Sequence, residues 1–193
     1  TMPSTYGAPA KVNVMEEDNK VKIKLLSYDE NGNLTDIVSN TLKNNILNYL
    51  SEYRMINDYI DITSGQVIDL GLEIDLIVDK NEKTSDILKT TIQNTIEFFA
   101  IEKRKMGDPL FVGDLMREIG AVSGVVNVVD IRVFNKKGGN YSSSEVSQDV
   151  NATTGLITQT DLTIFMKSNQ IFQIRFPNVD IKVRTKSLGT TTY

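Results

Sequence analysis

From Ile68 to Val78 every even position is apolar (Ile68, Leu70, Leu72, Ile74, Leu76, Val78), while the odd positions include Asp69, Glu73 and Asp75. Such alternation matches an extended strand, whose side chains point to opposite faces in turn, and not a helix, whose stripe recurs every 3.6 residues. A strand this long commits the chain to a sheet with one core face and, on this reading, one wet face that carries the three carboxylates.

The segments before it supply sheet partners and a first helix. KVNVMEE and VKIKLLSYDE flank DNK as two short strands joined by a tight turn, with Val21, Ile23 and Leu25 pointing one way and Lys22 and Lys24 the other. Opposite charges opposed across strands are favourable by about 0.2–1 kcal/mol, so Lys22 and Lys24 are expected on the face of Glu73 and Asp75, on a neighbouring or next-neighbouring strand. DENGN reads as a turn. Ser39 then caps a helix striped by Leu42, Ile46, Tyr49, Leu50 and Tyr53.

After the long strand, Thr84 or Ser85 caps a second helix with a stripe of Leu88, Ile92, Ile96 and Phe99, stopped by Gly107 and Pro109. Asp108-Pro109 reads as the start of a short third helix ending at Gly120. In the valine-rich strand that follows, Val125, Val129, Ile131 and Val133 share a face and Val126 and Val128 make the other apolar too, which predicts an interior strand. Residues 136–155 are poor in large apolar side chains and read as a flexible loop or junction. LTIFMK, IFQIRFP and VDIKVRT read as three short strands, with Phe172, Ile174 and Phe176 on one face of the middle one. The fold class predicted is α+β, a mixed β-sheet with two main helices on one face followed by a β-rich C-terminal arm. The division is 1–135, 136–155 and 156–193.

Composition narrows the chemistry. The chain has no cysteine and no histidine. That removes thiolate catalysis, disulfides, thiolate-metal centres, and the commonest general base and metal ligand. No apolar run approaches the roughly 20 residues of a membrane helix, and the first residues lack the pattern of a signal peptide, so a cytoplasmic site of synthesis and assembly is expected. An acidic sequence pI near 5.0 argues against a phosphate-backbone footprint. Charge is uneven. The net is -4, yet residues 161–193 carry five Lys/Arg against two Asp/Glu, so a basic tail follows an acidic body. Such a tail suits contact with an acidic surface, a second copy of the chain included.

Asp69, Glu73 and Asp75 share one strand face, where alternate residues lie about 7 Å apart, a spacing compatible with paired acid/base work or a hard cation. The same alternation explains them as a solvated face, and that is the favoured reading. DENGNLTD has the flavour of a calcium loop without its closing glutamate. Neither a phosphate-binding glycine loop nor a nucleophile elbow is present.

The order of elements, with LKNNILNYLSEYRMINDYIDITSGQVIDLGLEIDLIVDKN, TIQNTIEFF and FVGDLMREIGAVSGVVNVVDIRVFN, resembles the baseplate J-like wedge proteins of contractile-tailed bacteriophages, T-even-type inner wedge proteins among them. The likeness spans roughly residues 6–135 and falls on the C-terminal part of that family's longer chains. It implies a structural virion protein, assembled in the host cytoplasm, that joins copies of itself and other wedge proteins in a tail baseplate. It further implies no catalysis, no cofactor, no metal, no nucleic acid and no membrane. Interface residues do not follow from the family pattern, and the basic arm nominates Phe172, Arg175, Phe176, Lys182 and Arg184. Two rival readings stand: a ferredoxin-like enzyme or small-ligand module using Glu73 and Asp75, and the equivalent wedge protein of a phage-derived injection or secretion system.

Overall fold

The computed structural model describes residues 7–17, 20–53 and 59–186. The α+β class holds, and the sheets are mixed. The chain divides into two compact units, the first Thr1–Val67, Lys105–Asp108 and Met166–Ile171, the second Ile68–Arg104, Pro109–Phe165 and Phe172–Tyr193. The expected boundaries at 135 and 155 are not those along which the contacts divide.

In the first unit, β1 (Lys11–Glu17) and β2 (Lys20–Tyr28) form the expected antiparallel pair, from Lys11 opposite Leu26 to Glu17 opposite Lys20. Residues 18 and 19 of the expected turn lie outside the described residues. The short β3 (Leu34–Thr35) pairs antiparallel with β2, and β4 (Ile60–Ser64) runs parallel to it. DENGN is a plain turn, its Asp29 carboxylate accepting from the Asn31 and Asn33 amides. Helix α1 (Asn40–Ser51) starts as predicted, with the Ser39 hydroxyl accepting from the Leu42 amide at 3.2 Å. Its Ile46 joins Ile23, Leu25 and Val38 in the core of this unit.

The second unit is built on β5 (Gln66–Val78), flanked by β7 (Val125–Lys136, antiparallel) and β10 (Ile181–Lys186, parallel) and paired also with β9 (Gln170–Gln173). Its even residues from Ile68 to Leu76 are fully buried. Helix α2 (Thr84–Phe98) packs on β10 and on α3 (Val112–Gly120), and α3 packs on β7. The two main helices, expected on one sheet, therefore belong to different sheets.

Several sequence expectations shift for identifiable reasons. In α2 the buried line is Ile87, Thr91, Thr95 and Phe99, one residue round from the predicted stripe. The two threonines face the core, and the Thr95 hydroxyl returns its bond to the Thr91 carbonyl at 2.8 Å. Neither Thr84 nor Ser85 caps this helix, and it ends at Phe98, with a 3-10 turn at Ile101–Lys103. Asp108-Pro109 does not start α3. A short strand β6 (Leu110–Phe111) intervenes, paired with β8 (Thr163–Ile164), and the first helical amide, Val112, donates to the Leu162 carbonyl at 2.8 Å.

Strand β7 pairs with β5 on one edge and, through the Phe134–Leu156 bridge, with the segment around Leu156 on the other, and its register with β5 slips twice. Val128 follows Asp130 and Val125 follows Asn127 in the pairing, leaving Val129 and Val126 as the extra residues. As the extra residue of the first bulge, Val129 is exposed instead of joining Ile131 and Val133 in the core, and Val126, expected on a second covered face, is exposed too.

The segment 136–155 is tied down by polar side chains that stand in for strand partners. Asn135 donates to the Ser144 carbonyl and accepts from the Val146 amide, while Gln148 bonds both the Thr163 carbonyl and the Phe165 amide. Gly155 closes the segment with φ 77°, its carbonyl accepting from the Asn135 amide at 2.7 Å. A Cβ at Gly155 would lie 2.6 Å from the Asn135 carbonyl oxygen, which is backbone and cannot step aside. Gly155→Ala should cost about 2 kcal/mol or more in urea unfolding. Gly139→Ala, with positive φ in open space, should cost about 1 kcal/mol. Equal losses at the two positions would show that the close approach is not what matters.

Candidate functional site

The odd face of β5 was expected to be wet, and the structure corrects this. Asp69 is 0 % exposed and Asp75 is buried, while Glu73 keeps partial access. Lys22 and Lys24 are not on this face. They belong to the sheet of the first unit, where Lys22 pairs with Glu17 and Lys24 donates to the Thr63 hydroxyl.

Asp69 is a hub for three segments. Its carboxylate accepts from the Ser142 amide at 2.6 Å and from the Gln173 side-chain amide at 2.8 Å, and Arg175 Nε lies 3.5 Å away. Burial pushes its carboxyl above the ordinary value, a rise that these donors only partly offset. Nearby, the Tyr141 hydroxyl donates to Asp180 at 2.7 Å, and Asp180 also accepts from the Phe176 amide. Desolvation and then the Asp180 bond push the Tyr141 phenol up to about 12, so this clip keeps its proton through neutral pH.

Further along the same face, Glu73 lies within 4 Å of Arg132, Lys182 and Arg184, and Arg132 also meets Asp75 at 3.3 Å. The cross-strand register explains this ladder, since Lys182 and Arg132 flank Glu73 and Arg184 flanks Asp75. Read from sequence as exposed, Glu73 and Asp75 should matter by less than about 0.5 kcal/mol. With Asp75 buried against Arg132, the double change Glu73→Gln, Asp75→Asn should instead cost about 1–2 kcal/mol in chemical denaturation. A loss below that earlier figure would return both carboxylates to a solvated face.

Of the nominated interface residues, Phe172 is core, edge-on to the Phe99 ring and under the Arg104 guanidinium. Its place on an exposed apolar face is corrected: β9 carries it into the sheet. Arg175 is mostly buried against Asp69, and Phe176 lies edge-on to Tyr141. Lys182 and Arg184 alone keep more than half of their side chains in solvent.

The carboxylate with a raised pKa, Asp69, has no access to solvent, and the cavity beside Glu73 holds only about 160 Å3. Among the described residues no group of three or more acidic side chains is placed to hold a metal ion. No described helix is long and apolar enough to cross a membrane.

Two surface features escaped the sequence reading. One is a groove of about 450 Å3 in the first unit, walled by β1, β2 and α1. The other is the two-residue turn at Asp161 and Leu162, both left-handed, at φ 50° and 54°. In TDLT Asp161 is an ordinary first residue for such a turn, but Leu162 stands where glycine is usual, so the sequence does not announce it.

No family model matches the chain, and no curated protein matches it. Among solved structures, a chain in the cryo-electron microscopy structure of the anti-feeding prophage baseplate, 6-fold symmetrised, has a similar fold. The superposition covers 86% of this chain with a TM-score of 0.54 at 10% identity. This chain spans about a third (33%) of the length of that one.

Proposed function

We propose that this chain is a structural component of a contractile-tail baseplate, a wedge-type subunit working through contacts with other baseplate proteins and with copies of itself, without catalysis or cofactor. The observation that carries the reading is the fold shared with a baseplate protein over most of the chain, on an arrangement of strands and helices that resembled baseplate J-like wedge proteins from sequence. The ion-pairing of Glu73 and Asp75 supports a structural use of those carboxylates over the enzyme reading. On this proposal the chain corresponds to one part of a longer wedge protein, of the T-even-type inner wedge kind, and is located in the baseplate of a virion or of a phage-derived injection machine.

The test is co-expression of the chain with the products of neighbouring tail genes, followed by affinity purification and electron microscopy. Recovery in a stoichiometric, symmetric baseplate particle is the expected result. If the folded chain enters no such particle with any neighbouring tail product, the reading fails.

A further inference from the structure

Strand β1 ends the sheet of the first unit, with β2 on its inner side. The bonds made by β2 fix which backbone groups of β1 face outward. The Val21 amide donates to the Tyr59 carbonyl and the Leu25 carbonyl accepts from the Gly65 amide, so both residues turn their backbone groups away from β1. Opposite them stand Glu16 and Val12, with Val14 opposite Ile23 between the two, and residues so placed in an antiparallel pair direct their own amides and carbonyls outward. Among the described residues nothing bonds to those groups.

An open edge of this kind is normally blunted by charge or proline. Strand β10, which ends the other four-stranded sheet, fits that rule with Lys182 and Arg184. Strand β1 does not. From Val12 to Met15 it has neither a charge nor a proline, and Val12 and Val14 are 49% and 58% exposed. Its charges lie at the two ends instead, Lys11 at one and Glu16 and Glu17 at the other.

That pattern complements itself. Two β1 strands run antiparallel with Val14 facing Val14 would place Lys11 of each copy opposite Glu17 of the other, and Val12 opposite Glu16. The outward-facing residues Val12, Val14 and Glu16 then meet one another, as the hydrogen-bond parity demands. A slip of two residues either way keeps the parity and loses the opposed charges.

We infer that two copies of this chain pair edge to edge through β1, antiparallel about a two-fold axis at Val14. This inference rests on the assembly reading above and names its surface and its partner. The same strand serves both copies, so the contact closes as a dimer. It forms roughly six backbone hydrogen bonds, joins the two sheets into one, and brings the exposed valines of both copies together on the α1 side. Glu17, already 2.8 Å from Lys22, gains a second cation across the axis.

Sedimentation velocity of the full chain, at concentrations up to several hundred micromolar, tests this. The wild type should show a monomer–dimer equilibrium and nothing larger. Val14→Lys and Val14→Glu, at an exposed position, should keep the wild-type circular dichroism and each weaken dimerisation at least tenfold, because like charges then face each other across the axis. Mixed 1:1, the two variants should dimerise again, since lysine meets glutamate only where position 14 faces itself.

A monomeric wild type would overturn the inference, as would either variant dimerising as well as wild type, or a mixture that stays monomeric. A wild type that is monomeric alone and still enters baseplate particles would give this edge to another subunit, sinking the self-pairing and leaving the assembly role standing. A dimer with these properties that enters no particle would keep the contact and sink that role.

Discussion

Replacing Asp69 by alanine should cost about 3–5 kcal/mol in urea unfolding followed by circular dichroism, because it removes from a buried position the carboxylate that accepts from the Ser142 amide and the Gln173 side-chain amide and pairs with Arg175. The loss should be local as well as global. Ser142 should become the site of new proteolysis and fast amide exchange, since its amide ties the 136–155 segment to β5 through Asp69. Asp69→Asn keeps one acceptor and should cost less, about 1–2 kcal/mol.

The same residue fixes a pH dependence. Its carboxyl is raised by burial, so the folded state holds that proton more tightly than the unfolded chain, whose ordinary value is 3.8. The stability contributed is thus fully present below that value and is lost as pH rises through the higher folded pKa. Wild type measured against Asp69→Asn should have its greatest advantage in acid and a smaller one above the folded pKa. An advantage that grows with pH would mean that the donors outweigh desolvation and that the carboxyl is depressed.

Phe172→Ala should cost about 3–5 kcal/mol, because the ring is buried against Phe99 and the Arg104 guanidinium and its removal leaves a cavity. That outcome separates a core residue from an interface one. The reversals Lys182→Glu and Arg184→Glu, on side chains more than half exposed, should leave the melting temperature within a few degrees of wild type. If Phe172→Ala folded with wild-type stability and failed only in assembly, the placement of β9 inside the sheet would be wrong.

By itself the sequence determined the features whose cause is local. The alternation from Ile68 to Val78 specifies a strand because the side-chain period is a property of the extended backbone. The β1–β2 hairpin, the Ser39 cap and the DENGN turn followed from groups within a few residues of one another. The sheet to which each helix belongs, and what covers each strand, were decided by tertiary structure. Asp69 looks like the wet half of an alternating strand until Ser142, Gln173 and Arg175, all distant in sequence, close over it. The polar segment 136–155 looks flexible because composition counts missing apolar side chains, whereas its order comes from Asn135, Gln148 and Asp69 supplying hydrogen bonds in register. Val129 reads as core because periodicity assumes an unbroken register, and a bulge set by the pairing with β5 turned it outward, while Val126 reads as covered only because the strand is apolar on both sides there. Period and capping are written in neighbouring residues, while burial depends on which distant segment arrives to displace the water.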